Sequence, residues 1–317
     1  MSNDVRKVTF EEAFEIFNSP FFELLRRAHN VHIKNFDEQT VQISDILSIR
    51  TGGCSEDCAY CAQSAKNGIK AQKQPMLDLE TVVNAAKSAK QRGASRFCMS
   101  TSGRCLMQEH EFDRICDIVK AVHDLGMETC VTIGFLTEQQ AKKLKKSGLD
   151  YYNHNVDTSP EFYKNIVSTH TIDDRIKTIE IVQAAGINVC SGGIVGMGET
   201  NEDRVKMLVL LANLKIPPRC VPINKLVKIP GTRINNSVPI DDFDFIRLIA
   251  LARILMPKSY VKIAAGRNTL HQSTQALCIF AGANALFSGE KLLTVDNITD
   301  GSDGVLFKKL NIKIEKQ

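Results

Sequence analysis

Tryptophan is absent from the 317-residue chain, and aromatic side chains make up only 6% of it. The net charge is a modest +4, and no basic run interleaved with aromatics occurs, so nucleic-acid binding is not indicated. No apolar run approaches membrane-spanning length; Ile246 to Met256 is broken by Arg247 and Arg253. Met1 to Lys7 are polar and lack the apolar core of a signal peptide, so a cytoplasmic location is expected. A dinucleotide fingerprint is missing too: the glycines between Cys190 and Thr200 do not fall in G-x-G-x-x-G order, and no acidic residue follows at the usual distance. No linker or low-complexity segment divides the chain, which is long enough to bury one large core.

Cysteine is abundant. Ten occur in a chain of ordinary globular composition, 43% hydrophobic and 24% charged. Without an export signal, that number points to metal binding or catalysis in a reducing compartment rather than to disulfides.

Strand-like and helix-like patterns alternate with a period of roughly thirty residues, as in repeated parallel βα units. Strands are expected near 41–49, 95–101, 127–133, 150–157, 187–195, 220–228, 259–265 and 284–294, with amphipathic helices between them. Eight such units predict an α/β fold, a (β/α)8 TIM-type barrel spanning 41–300, with function at the C-terminal ends of its strands. An open or doubly wound sheet is the alternative. A helical extension, 1–40, precedes the barrel, broken at Pro20 and placed to plug one end of it. Residues 301–317, rich in Lys, read as a loosely held tail.

Directly after the first strand comes the Gly-rich stretch from Ser48 to Cys61, with Cys54, Cys58 and Cys61 at C-x-x-x-C-x-x-C spacing. So short a loop brings three thiolates onto one small inorganic object. Structural zinc takes four ligands in paired units, and no second pair follows. Three thiolates suit a 4Fe–4S cluster with one iron left open to a small molecule.

Cys98, Cys130 and Cys190 stand at equivalent places in the second, third and fifth strands. Side chains alternate along a strand, so all three can face the lumen and form a second metal site. A single strand cysteine is most often an inert small hydrophobe. In the fourth strand Asn153, Asn155 and Asp157 share one face while His154 takes the other. These are poor strand formers, costly inside a barrel unless they bond a polar ligand. The bland reading is a polar strand end that caps the next helix. The glycines after Cys190 let backbone approach a ligand closely. Cys116, Cys220 and Cys278 read as structural, Cys105 is ambiguous, and most histidines read as surface or core residues.

The cysteine loop, with Tyr60 just before its third cysteine, resembles the signature of the radical S-adenosylmethionine (SAM) superfamily. With Arg96-Phe-Cys98-Met, Tyr151 to Pro160, Cys190 to Gly196 and Ala265-Gly-Arg267 in order, the chain resembles the biotin synthases from about residue 10 to about 295. The resemblance implies a homodimer that cleaves SAM to a 5′-deoxyadenosyl radical and inserts sulfur between two unactivated carbons of dethiobiotin. It also implies electrons from a small flavodoxin- or ferredoxin-like protein. In that family the first three cysteines hold a SAM-binding 4Fe–4S cluster. The counterparts of Cys98, Cys130 and Cys190 hold a 2Fe–2S cluster that supplies the sulfur.

Carried over, Asn153 and Asn155 contact dethiobiotin or the SAM ribose, and Asp157 bonds the ribose hydroxyls. Arg175 meets the SAM carboxylate, Ile194 and Val227 pack on adenine, and Asn224 bonds the ureido group. One position departs from the family pattern. The family's fourth auxiliary ligand is an arginine, and the matching residue here is Lys262, with Arg267 near but out of register. Another two-cluster radical SAM catalyst, or an iron–sulfur carrier without turnover, remains as an alternative class.

Overall fold

A computed structural model describes residues 7–315, apart from 70, 71, 107, 235, 236, 290 and 298–300. Two helices come first, α1 (Phe10–Asn18) and α2 (Phe21–Ile33), separated at Pro20. Then β1 (Thr40–Arg50), α3 (Leu79–Gln91), β2 (Arg96–Thr101), α4 (Glu109–His123), β3 (Glu128–Thr132), α5 (Glu138–Lys146) and β4 (Tyr151–Asn153) alternate. Next are α6 (Pro160–Tyr163), α7 (Ile172–Ala184), β5 (Asn188–Cys190), β6 (Gly193–Val195), α8 (Asn201–Ala212), β7 (Cys220–Lys225), α9 (Asp242–Leu255) and β8 (Tyr260–Ile263). The chain ends with α10 (Gln272–Phe280), β9 (Ala285–Phe287), the hairpin β10 (Lys291–Leu292) and β11 (Val295–Asp296), α11 (Ser302–Leu310) and β12 (Lys313–Ile314).

Strands β1, β2, β3, β4, β5, β7, β8 and β9 pair in that order, all parallel. Pairing of β9 back onto β1, Gln42 opposite Ala285, closes the ring and excludes the open sheet. Threonines open four of the helices. Thr9, Thr137, Thr171 and Thr200 each accept from the third backbone N–H of their helix, and the acid or amide there bonds back, satisfying donors that a helix start leaves orphaned. Apolar residues such as Phe97, Val131, Tyr152, Val221 and Phe245 fill the layer between barrel and helices. Among the described residues no helix is long and apolar enough to cross a membrane.

Four expectations need correction. The N-terminal helices do not plug the barrel: α1 and α2 pack on the outer helices α8 and α9, and Arg247 bonds the carbonyls of Phe17 and Ser19 between them. Beyond α2, Phe36 packs against Tyr260 at the start of β8, and the Gln39 carbonyl accepts from Lys313 of β12. The expected 301–317 tail is built in through its described residues. Leu306 and Phe307 are buried, Asp303 grips Arg267, and β12 pairs with Thr40 and Val41 of β1. Polar composition hid these few anchoring side chains.

The expected 187–195 strand is interrupted at Ser191 and Gly192. A Cβ on Gly192 would lie 1.9 Å from the Pro222 carbonyl oxygen, and one on Gly193 2.5 Å from that of Asp157. These two glycines serve backbone-to-backbone approach within the protein. Finally, the 284–294 strand stops at Phe287, and Leu292, Leu293, Thr294 and Val295 fold over the barrel cavity.

A candidate two-centre active site in the barrel

The cysteine loop is fixed from several sides. Gly52 and Gly53 take positive φ, 77° and 68°, which turns the chain off β1. Cys54 N–H donates to the Gln63 carbonyl (2.9 Å) and Ala59 N–H to that of Ile166 (2.8 Å). Asn67 Nδ2 bonds both the Cys58 and Cys61 carbonyls (3.0 and 2.8 Å). Asp57 accepts from the backbone and hydroxyls of Ser168 and Thr169. Glu56 meets Arg104, Thr169 and His170. The three thiols stay undisulfided, with Cys58 the most buried of them. Burial, then the charge of Asp157, pushes the Cys58 thiol up to about 12, so ligation there must displace a tightly held proton.

Deeper in the lumen, register makes the second set. Cys98 of β2 lies opposite Cys130 of β3, and Cys190 of β5 opposite Cys220 of β7. The four thiols form two hydrogen-bonded pairs inside one buried cluster with Tyr151. The bond from its partner lowers one thiol of each pair, Cys98 and Cys220, with Lys262 and Arg96 adding to that. The same bond and burial raise Cys130 and Cys190. Arg96, fully buried, spends Nε on Glu128 (2.9 Å) and stacks on Tyr151, but its Nη1 has no hydrogen-bond partner in the protein. A buried guanidinium with an unused donor beside four thiols fits an anionic metal centre. Among the described residues no three His, Cys, Asp or Glu side chains converge on one metal ion. An iron–sulfur cluster spreads its thiolates over more than one iron and so spaces its ligands further apart.

Both sets open on one cavity of about 360 Å³. Cys54, Cys58, Tyr60, Cys61, Cys98, Cys130, Asn153, Asn155, Asp157, Arg175, Cys190, Ile194, Asn224 and Val227 all line it. Every site residue expected from the sequence is therefore brought together except Lys262. Its Nζ, fully buried, donates to Ser44 (2.7 Å) and lies 4.3 Å from the centre of the Phe287 ring.

Asp157 sits at φ 67°, accepts from Tyr60 (2.8 Å) and pairs with Arg175 (3.0 Å), whose Nε bonds Tyr163. Asn153 contacts the Cys190 sulfur (3.4 Å) and accepts from Thr132. Asn155 accepts from Gly192 N–H, and Asn224 spans Gly193 and Ala265. His154 also lines the cavity, contrary to the alternation expected of it, because β4 ends at Asn153 and the strand period lapses. His170 joins it there, and both leave Nε2 without a partner. The sequence reading missed Cys220, Arg96, Ser44 and the two histidines. Cys220 was detectable as a cysteine on the lumen face of its strand, two residues before Pro222 and four before Asn224.

Residues 48–211 match the Radical SAM superfamily, and 222–313 match the Biotin and Thiamin Synthesis associated domain. The chain is 52% identical over 307 residues to a biotin synthase of Agrobacterium fabrum, covering 96% of this chain and 90% of that protein. Biotin synthases of Rickettsia felis (50% over 308 residues; 97% and 99% covered) and Lawsonia intracellularis (49% over 305; 96% of each) are similarly close. Among solved structures, methylornithine synthase superposes with a TM-score of 0.82 at 17% identity, over 98% of this chain and 95% of that one. The hydrogenase maturase HydG of Carboxydothermus hydrogenoformans gives 0.82 at 18%, over 98% and 76%. These two likenesses show the fold alone. The chain belongs to the biotin synthase family of the radical SAM superfamily.

Proposed function

We propose that the chain converts dethiobiotin to biotin by radical SAM sulfur insertion. One observation carries the reading: a single cavity is lined by a three-thiol loop, a deeper thiol set and an Asn153–Asn155–Asn224 amide group. Cys54, Cys58 and Cys61 would hold a 4Fe–4S cluster with SAM, and Cys98, Cys130 and Cys190 would hold a 2Fe–2S cluster. Between them these groups, when bound, supply the electron that opens the sulfonium and the sulfur that enters the product.

The chain's own residues do the rest. Asp157, held in place by Tyr60 and Arg175, would offer a carboxylate oxygen to the ribose hydroxyls. Arg175 takes the SAM carboxylate, and Ile194 and Val227 flank the adenine. The amides of Asn153, Asn155 and Asn224 are groups of the kind that would donate to and accept from a cyclic urea. A carbon radical would abstract hydrogen from any neighbour, so both molecules must be clamped and water kept out. The 292–295 segment covers the cavity to that end. A flavodoxin- or ferredoxin-like electron donor and a homodimeric state belong to the same proposal.

The test is anaerobic reconstitution with iron and sulfide, then addition of SAM and a reductant with and without dethiobiotin. The proposal expects 5′-deoxyadenosine to form in step with dethiobiotin and biotin to appear. Cleavage of SAM indifferent to dethiobiotin would assign the cavity to another substrate, and no cleavage would leave an iron–sulfur carrier.

A further inference from the structure

Where the family resemblance expects an arginine ligand, this chain has Lys262. That residue is not poised as a substitute. Nζ is committed to Ser44 Oγ at 2.7 Å and sits over the face of Phe287. Lysine coordinates a metal only as the neutral amine, whereas these contacts suit an ammonium that donates and lies on a π face. Arg267 is engaged elsewhere, its guanidinium held by Asp303, Gln275 and the Phe287 carbonyl.

A fourth thiol is already present. Cys220 opens β7, and Cys220, Pro222 and Asn224 alternate onto the lumen face. Its backbone lies in register with that of Cys190, and it is fully buried. It shares one buried cluster with Cys98, Cys130 and Cys190. Two adjacent pairs of thiols are the ligand arrangement a two-iron cluster takes, one pair to each iron. Charge agrees as well. A centre held by four thiolates is anionic, and two buried cations, Arg96 and Lys262, face it, the first with an unpartnered Nη1.

We infer that Cys220 is the fourth protein ligand of the auxiliary centre in this chain, beside Cys98, Cys130 and Cys190, and that Lys262 is a positioning cation rather than a ligand. The inference rests on the two-centre reading above. The adjacent thiols explain how the arginine position can carry a lysine: the ligand has moved one strand over, from β8 to β7, and the cation stays behind to offset the added negative charge.

The test uses the reconstituted full chain and reads iron and sulfide content, visible absorption and Mössbauer spectra, not turnover alone. Wild type is compared with Cys220→Ala, Cys220→Ser and Lys262→Met. The SAM-responsive signal of the Cys54/Cys58/Cys61 centre reports in each variant that the barrel has folded. Cys220→Ala should lose the auxiliary spectrum, Cys220→Ser should shift it, and Lys262→Met should keep its all-thiolate form. An unchanged auxiliary spectrum in Cys220→Ala, with its loss in Lys262→Met, would overturn the ligand assignment while leaving the two-centre reading intact. Wild type carrying only the SAM-responsive centre would overturn both.

Discussion

The ion pair of Asp157 and Arg175 offers the sharpest test of how the cavity wall is held. Asp157 is 2% exposed, and its Oδ2 lies 3.0 Å from Arg175 Nη2 and 2.8 Å from the Tyr60 hydroxyl. Unit charges that close attract by roughly 5 kcal/mol at an effective dielectric of about 20, and desolvation takes back much of that. Removing one partner alone is different, because it strands the other: such losses run at roughly 3–5 kcal/mol. Asp157→Asn is the clean perturbation. Asparagine tolerates the left-handed backbone that this position adopts, and its amide oxygen can still accept from Tyr60, so only the charge is lost. Urea unfolding should show a loss of about 3 kcal/mol. Adding Arg175→Met should restore most of it, less about 1 kcal/mol for the bond from Arg175 to Tyr163. Neither variant should bind SAM normally. The reasoning fails if Asp157→Asn unfolds within about 0.5 kcal/mol of wild type, or if the two substitutions simply add.

Gly193→Ala would drive a methyl onto the Asp157 carbonyl and Met207. Since displacement of about 1 Å at a site can cost roughly a hundredfold in rate, SAM cleavage should drop by that order while iron content holds. Separate replacement of the two thiol sets should part their roles: Cys58→Ala abolishes SAM cleavage, whereas Cys130→Ala leaves some and stops biotin formation, by liquid chromatography of both products. Burial, with help from Arg253, lowers His32 to about 4 from 6.5. The folded state therefore binds fewer protons, and stability present above pH 6.5 drains as pH falls toward 4. Between pH 6.5 and about pH 5 the loss should be about 2 kcal/mol, visible in urea midpoints and absent from His32→Phe.

What could be read from the chain alone follows from the range of the interactions. The cysteine loop is local, so its spacing announced it, and the repeat of apolar runs announced the barrel because each βα unit buries its own faces. Cys220 was passed over because its meaning lies in strand register: only beside Cys190 does it cease to be an ordinary first residue of a strand. Lys262 sits in a recognisable motif, yet its bond to Ser44 crosses from β8 to β1 and leaves no trace in either segment. His154 was placed on the wrong face because the strand stops one residue earlier. The C-terminal segment misled through composition, since Leu306, Phe307 and Ile314 anchor a stretch that is otherwise rich in Lys.

The account depends most on an iron left open to SAM at Cys54, Cys58 and Cys61. Electron paramagnetic resonance of the reduced, reconstituted protein, recorded before and after SAM is added, addresses this directly. One component of the spectrum should change with SAM, and that component should be missing from Cys58→Ala. No SAM-responsive component, or one that survives that substitution, would contradict it.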